Sequence, residues 1–280
     1  MNQKGKTLIE DVDADFGDDT LCKNFTSIRL MDNDLLLLKY LLESNFLTRE
    51  QVQKYIYSGY SEQYLNSRRF WKLCRGKFIK KGPMVDQNRT VLLADEMALI
   101  GVSVYRERLE NLCRERRLFY VTPDLYLLQP RIDLRQFTHD YYLNQVRFEF
   151  ENRGADFWIS DKLLYRTRKF KKIPDGVFQK EQRIFAVELE TTLKKPGRYK
   201  DSFSLYCSTP EIDFVLYIAG NNRIYRDLAR MITPGFIDDS PEAFKKFMLI
   251  RLDDFLKGGL VFQNHAYNDF ELDLDAILKK

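Results

Sequence analysis

Three acidic side chains in the second half of the chain could share one site if the backbone there folds as a β-hairpin. Asp175 lies in a Pro-Asp-Gly sequence, and Glu188 and Glu190 lie in the apolar segment of residues 184–190. That segment is short and rich in β-branched and aromatic residues, which favours a strand. Because side chains alternate along a strand, Glu188 and Glu190 share one face.

The position of the turn decides whether the third carboxylate joins the other two. A turn centred between Glu181 and Gln182 places Asp175 opposite Glu188, where paired Cβ atoms lie about 4.5–5.5 Å apart. Carboxylates this close repel one another unless a cation joins them, and hard oxygen ligands suit Mg²⁺ or Mn²⁺. We therefore expect a metal site formed by Asp175, Glu188 and Glu190. The competing interpretation is a solvated sheet face that binds nothing.

The order of Pro-Asp-Gly, a turn, and a hydrophobic residue followed by Glu-x-Glu resembles the active-site hairpin of the PD-(D/E)xK nuclease fold. The resemblance implies that Asp175 and Glu188 hold the metal. The usual lysine of the motif is Glu190 here, which would act as a further ligand or as a base for water. This Glu-x-Glu variant resembles the plasmid mobilisation relaxases of the MobC (MOBC) class and the replication-relaxation family. The resemblance covers most of the chain beyond the first thirty residues.

Other side chains could complete the site. His139 and Asp140 lie on a predicted helix that, in the resembling fold, lies beside the hairpin. Asp140 or Glu149 could then complete the metal shell, and His139 is either catalytic or a hydrogen-bonded packing residue. Lys194 follows Glu190 by four residues. It could replace the missing lysine by stabilising the charge that develops at the phosphate, or it could bind the DNA backbone with its basic neighbours.

The first part of the chain has the features of a winged helix. Apolar spacing predicts three short helices from Asp32 onward, with helix starts at Thr48 and Ser61, followed by a two-stranded wing over residues 78–93. In such a domain the third helix enters the major groove. Seven Lys or Arg residues and no acidic ones lie in residues 68–81, which favours phosphate contacts over a protein-binding role. The expected DNA contacts are Arg68, Arg69, Lys72, Arg75, Lys80 and Lys81.

These segments predict an α/β protein with three regions. Residues 1–30 form an acidic disordered tail, residues 31–130 a winged helix-turn-helix domain, and residues 131–280 a PD-(D/E)xK (restriction-endonuclease-like) α/β domain. In the second region, a helix over residues 96–117 and a strand over residues 120–128 follow the wing. The third region is expected to begin with a helix, three strands, a helix and a strand, and to end with a short segment near residues 274–278.

The resemblance implies a relaxase, a metal-dependent DNA-nicking endonuclease that acts at a plasmid transfer origin during mobilisation or conjugation. Its partners would be double- and single-stranded DNA and a conjugative coupling protein. One rival is a non-catalytic DNA-binding regulator of plasmid replication or transcription, which the absent motif lysine supports. Another is a hydrolytic nuclease of a defence or transposition system. Four cysteines without C-x-x-C spacing and no long apolar run favour a cytoplasmic protein without membrane insertion.

Overall fold

The computed structural model describes residues 28–85, 89–126, 132–167, 170–233, 235–236, 241–266 and 270–278. The predicted acidic tail over residues 1–30 lies almost entirely outside these ranges. Within them the chain is mixed α/β, with one three-stranded and one seven-stranded sheet. In this part of the chain no helix combines the length and the apolar character needed to cross a membrane.

The N-terminal part consists of helices around the three-stranded antiparallel sheet, whose order is β1-β3-β2. Both predicted helix starts are confirmed, because the Thr48 hydroxyl accepts the amide hydrogen of Gln51 and the Ser61 hydroxyl accepts that of Tyr64. The elements are α1 (Asp32–Glu43), β1 (Leu47–Thr48), α2 (Arg49–Gln51 continued by a π-helical Val52–Ile56), α3 (Glu62–Tyr64, a π-helical Leu65–Arg69 and Phe70–Arg75), β2 (Ile79–Val85), β3 (Arg89–Ala94), α4 (Met97–Val104) and α5 (Arg106–Glu115).

The strand predicted for residues 120–128 is wrong over its described part, residues 120–126. A short 3-10 helix, Pro123–Leu125, lies there instead. Proline fixes φ and has no N–H to donate to a neighbouring strand, so Pro123 favours the turn. Tyr126 then turns inward, and its hydroxyl donates a hydrogen bond of 2.9 Å to the buried carboxylate of Glu43.

The C-terminal part is built on the seven-stranded sheet of order β10-β9-β8-β7-β6-β5-β4, in which β6, β7 and β8 run parallel. The predicted order of helix, three strands, helix and strand is present, with one unpredicted helix, α7, after the first strand. The elements are α6 (Phe137–Asn152), β4 (Asp156–Ser160), α7 (Asp161–Thr167), β5 (Gly176–Lys180), β6 (Arg183–Glu190), α8 (Pro196–Cys207), β7 (Phe214–Ala219), α9 (Asn222–Met231), β8 (Phe247–Arg251), α10 (Leu252–Leu256), β9 (Val261–Gln263), β10 (Glu271–Asp273) and α11 (Leu274–Leu278).

The β5–β6 hairpin has the register expected from the sequence. Lys180 pairs with Arg183 next to the turn, and Gly176 pairs with Val187 at the other end. Continuing this antiparallel register by one residue places Asp175 opposite Glu188. The strand must begin with glycine, because a Cβ on Gly176 would lie 2.1 Å from Cζ2 of the buried Trp158.

Both faces of the central strand β6 are buried, which explains its almost continuous apolar sequence. One face packs against α6, and the other packs against α8. On the first face, Phe185, Val187 and Leu189 of β6 share a core with Val146 and Phe150 of α6. On the second face, Ala186 of β6 and Val215 of β7 share a core with Tyr199, Phe203 and Tyr206 of α8. Glu188 and Glu190 belong to the α8 face, where their neighbours are mainly apolar and aromatic.

Helix α6 joins the two parts of the molecule. Arg147 on α6 donates a hydrogen bond of 2.5 Å to Glu43 at the end of α1, and the Asn144 side chain donates one of 2.8 Å to the carbonyl of Phe46. The N-terminal apolar core also includes Phe148 of α6 and Leu163 of α7. The two parts therefore share a core rather than meeting only at a linker.

Candidate active site

Asp175 lies at a cleft of about 390 Å³ between the sheet, α6 and the end of α1. Its Oδ2 accepts a hydrogen bond of 2.7 Å from the backbone N–H of Leu189 and lies 3.3 Å from Nε2 of His139. Burial alone would raise the pKa of Asp175, but His139 and the Leu189 amide outweigh it and lower the pKa. Asp175 is therefore a carboxylate at neutral pH.

Glu188 is almost fully buried on the α8 face of β6. Its Oε1 accepts a hydrogen bond of 2.5 Å from Nζ of Lys172 and another from the hydroxyl of Tyr206. Burial raises the pKa of Glu188, the charge of Asp175 raises it further, and Lys172 opposes both. The sequence reasoning missed Lys172 and Tyr206. A basic pair immediately before Ile-Pro-Asp is a signal that could have indicated the lysine.

Glu190 is also buried, and a lysine compensates its charge as well. Nζ of Lys194 donates a hydrogen bond of 2.7 Å to Oε1 of Glu190. Burial raises the pKa of Glu190, whereas the ammonium of Lys194 lowers it. Lys194 therefore lies at the site, as its position four residues after Glu190 suggested, and it lines the same cleft as Asp175.

His139 and Asp140 enter this cleft from the first turn of α6. His139 lies between two carboxylates, with Nδ1 3.4 Å from Oδ1 of Asp140 and Nε2 3.3 Å from Oδ2 of Asp175. Burial lowers the pKa of His139, but these two partners outweigh it and raise the pKa to about 10. Glu149 lies nine residues beyond Asp140 on α6, about 13 Å further along the helix axis. It pairs with Lys54 instead, so it does not belong to this site.

The donor set has the chemistry of a magnesium or manganese site, but the side chains do not surround a cation. The charge of Asp175 raises the pKa values of both Glu188 and Glu190, so the three carboxylates lie within electrostatic range of one another. Nevertheless, no group of three or more His, Cys, Asp or Glu side chains is arranged to hold a metal ion within the described ranges. The ammonium groups of Lys172 and Lys194 supply positive charge beside the two glutamates.

The basic residues predicted to contact DNA divide into two groups. Arg68, Lys72 and Arg75 on α3 and Lys81 on β2 are exposed, and Lys80 is half-buried with Nζ 4.0 Å from Asp95. The indole of Trp71 is 54% exposed on the same helix, and the guanidinium of Arg75 lies 5.3 Å from its ring centre. Sequence reasoning did not single out Trp71.

The prediction that Arg69 contacts DNA is wrong, because Arg69 is not on the surface. Its side chain is buried, and its Nε donates a hydrogen bond of 2.7 Å to Oδ1 of Asp34 on α1. Adjacent residues on a helix differ by about 100° in direction, so Arg68 can face solvent while Arg69 points into the core. Asp34 is fully buried, which makes the ion pair with Arg69 necessary for packing rather than for binding DNA.

No protein-family model, curated protein or solved structure matches this chain. What the chain does must therefore be inferred from its own residues. The structure brings together Asp175, Glu190, His139, Asp140 and Lys194 along one cleft, with Glu188 buried directly behind them.

Proposed function

We propose that this protein is a metal-dependent DNA endonuclease that nicks one strand of a duplex. The observation that carries the proposal is the hairpin register, which sets Asp175 opposite Glu188 and places Glu190 two residues further along the same face. We propose that the C-terminal part is a PD-(D/E)xK domain, which is supported by the order of α6, the strands β4 to β6, α8 and β7. A basic surface on the N-terminal part would supply DNA affinity.

Asp175 and Glu188 would hold Mg²⁺ or Mn²⁺, with Asp140 as a further ligand. The bound cation would polarise the scissile phosphate and lower the pKa of the attacking water. The protein groups have separate tasks. His139 keeps Asp175 ionised, Glu190 accepts a proton from water, and Lys194 stabilises the negative charge that develops on the phosphate.

The N-terminal part would locate the DNA as a winged helix. This proposal is supported by the order of α1, β1, α2, α3 and the β2–β3 hairpin, and by the exposed side chains of Arg68, Lys72 and Arg75 on α3. We propose plasmid DNA as the target, at a transfer origin from which a relaxase starts mobilisation or conjugation. A coupling protein of the transfer machinery would then be the partner, and the cytoplasm the compartment.

A second function is favoured by a specific observation and belongs to a different class. Glu188 and Glu190 are each neutralised by a lysine, and each carboxylate side chain is only 3% exposed. Such pairs suit a permanent structural role, in which the hairpin stabilises a non-catalytic regulator of plasmid replication or transcription. This regulator would bind DNA through α3 and would leave it uncut.

The test is incubation of supercoiled plasmid, with and without a transfer origin, in Mg²⁺, Mn²⁺ or EDTA. The wild-type chain should produce nicked circles with either metal and none in EDTA. Asp175→Asn, which removes the charge but keeps the shape, should abolish nicking. Glu211→Gln, at an exposed carboxylate before β7, is the matched control and should nick like the wild type. If every protein only shifts the plasmid and leaves it closed, the regulator is correct and the endonuclease is not.

A further inference from the structure

Three hydrogen-bond donors along the active-site cleft are buried and have no partner. They are Oγ of Ser160, Nζ of Lys162 and Nη1 of Arg147, and none of them has a hydrogen bond to any described atom. All three residues line the cleft that contains Asp175. A buried donor without a partner costs about 1–3 kcal/mol, and a charged one costs more. The ammonium of Lys162, one nitrogen of the Arg147 guanidinium and the Ser160 hydroxyl all lack an acceptor among the described atoms of this one cleft, which indicates a missing anionic ligand.

The three donors come from different elements and are held in place. Ser160 is the last residue of β4 and is 6% exposed, on the same strand face as the buried Trp158. Arg147 is fixed by Glu43 and by Glu151, with hydrogen bonds of 2.5 Å and 2.9 Å, which leaves only Nη1 unpaired. Lys162 follows in the first turn of α7. The arrangement exists before any ligand binds, which lowers the entropic cost of binding.

Asp140 and Asp175, the carboxylates nearest His139 in the cleft, do not accept hydrogen bonds from these donors. Asp140 and Asp175 are bound by His139, and neither makes an ion pair with Lys162 in the described structure. Burial lowers the pKa of Lys162 to about 8, and the nearby charges of Asp161 and Asp140 oppose that decrease. The ammonium of Lys162 therefore remains mainly protonated at pH 7, and no described side chain accepts a hydrogen bond from it.

We propose that this subsite, formed by Ser160, Lys162 and Arg147, holds the terminal phosphate of a DNA strand. The cleft of about 390 Å³ has room for a small anionic ligand. A phosphate within a strand carries nucleosides on both sides, whereas a terminal phosphate can reach buried donors with its nucleoside left outside. A tetrahedral oxyanion can accept hydrogen bonds from an ammonium, a guanidinium and a hydroxyl at once.

The inference rests on the proposed function, because cleavage itself would generate the ligand. In hydrolysis, the water oxygen bonds to phosphorus, the bond from phosphorus to one sugar oxygen breaks, and that oxygen takes a proton. One strand end then carries a phosphate and the other a hydroxyl. The subsite would retain the phosphorylated end after nicking and so delay its release.

The test compares three single-stranded oligonucleotides of one sequence, bearing a 5′-phosphate, a 3′-phosphate or no terminal phosphate. Binding is measured by fluorescence anisotropy in EDTA, so that no cleavage occurs. One phosphorylated oligonucleotide should bind the wild type about tenfold more tightly than the unphosphorylated one, since a charged hydrogen bond contributes at least this much. Inorganic phosphate should remove that difference.

Variants assign the preference to the subsite. Lys162→Met should abolish the preference and Ser160→Ala should reduce it several-fold, whereas Lys171→Met, at an exposed lysine outside the cleft, should keep it. Asp175→Asn should also keep it, because this variant removes cleavage and not the donors. Equal binding of all three oligonucleotides, or an unchanged preference in Lys162→Met, overturns the subsite. A wild type that shows the preference but never nicks plasmid would refute the nuclease alone, and a wild type that nicks without showing the preference would refute the subsite alone.

Discussion

Positive side chains determine the ionisation of each carboxylate in the hairpin. Asp175 is ionised because of His139, whereas Glu188 and Glu190 lie in an apolar layer where burial favours the neutral acid. Lys172 and Lys194 oppose this effect. Close charge compensation is expected wherever carboxylates are buried, because an unpaired buried charge costs several kcal/mol. The two lysines therefore stabilise the fold even where no metal is bound.

Replacing Lys172 should show how strongly the fold depends on this compensation. Lys172→Met leaves Glu188 buried with only the Tyr206 hydroxyl as a partner. We expect the free energy of unfolding, measured by urea titration at pH 7, to fall by about 2–4 kcal/mol. Lys171→Met is the matched control at the neighbouring exposed lysine and should change stability by less than about 0.5 kcal/mol. Equal effects of the two changes would show that Glu188 does not depend on Lys172.

Replacing Lys162 should stabilise the protein, whereas replacing Lys172 should destabilise it. The pKa of Lys162 falls from 10.5 in the unfolded chain to about 8 in the folded one, so the folded state pays for keeping the ammonium charged at low pH. Lys162→Met should therefore raise the free energy of unfolding by about 2 kcal/mol at pH 7. Between pH 8 and 10.5 the unfolded wild type binds more protons, so the wild type gains stability and the difference should shrink. A variant less stable than the wild type at pH 7 would contradict the unpaired lysine.

At the scale of elements, the β5–β6 hairpin positions the site and depends on one glycine. A Cβ on Gly176 would clash with Trp158, whose buried ring contacts Phe150 and Phe178. Gly176→Ala should lower the free energy of unfolding by about 3 kcal/mol, the upper end for overpacking. Gly197→Ala is the control, since no heavy atom lies within 4 Å of its Cβ in the first turn of α8. Urea denaturation of both variants tests this, and equal stability would contradict the tight contact.

The hairpin could be predicted from sequence because its signals are local. Strand alternation and a two-residue turn fix the register, so the pairing of Asp175 with Glu188 follows from positions alone. The short strands β8, β9 and β10 were not predicted. Strands β9 and β10 have only three residues each, too few to show a periodicity, and β8 pairs with β7, which lies far away along the chain. Pairing over long separations leaves little trace in local periodicity.

Two side-chain roles could not be read from the sequence for a similar reason. Arg69 belongs to a run of basic residues, but its direction depends on the buried Asp34 of another helix. Lys172 comes before the hairpin, and only the tertiary structure shows that its ammonium reaches Glu188. The net charge and spacing of a segment can predict a basic surface. They cannot predict an ion pair inside a core, because that pair depends on how helices and strands pack.

At the scale of the whole molecule, the cleft exists because the two parts share α6. Residues from the end of α1, from α6, from β4 and from β6 line it together with Asp175, which immediately precedes β5. The ion pair between Glu43 and Arg147 joins the two parts, and both side chains are buried. Breaking such a pair by removing one partner typically costs about 3–5 kcal/mol. The geometry of the site therefore depends on both parts being folded.

This shared core predicts a single cooperative unfolding transition. In hydrogen–deuterium exchange at increasing urea, peptides from residues 32–115 and from residues 137–278 should lose protection at the same urea concentration. Trp158 fluorescence in the variant Trp71→Phe should change at that concentration as well. Trp71 is largely exposed, so this replacement should leave stability nearly unchanged. If the N-terminal peptides opened first while the sheet stayed protected, the two parts would be independent domains.

Calorimetric titration with Mn²⁺ shows whether the hairpin carboxylates bind a divalent cation. The wild type should bind about one Mn²⁺ per chain, in keeping with a single cluster of oxygen ligands. Asp175→Asn should bind none at this site, and Glu211→Gln should bind like the wild type. If Asp175→Asn binds Mn²⁺ as tightly as the wild type, or if neither protein binds it, the carboxylates have only a structural role and the nuclease proposal fails.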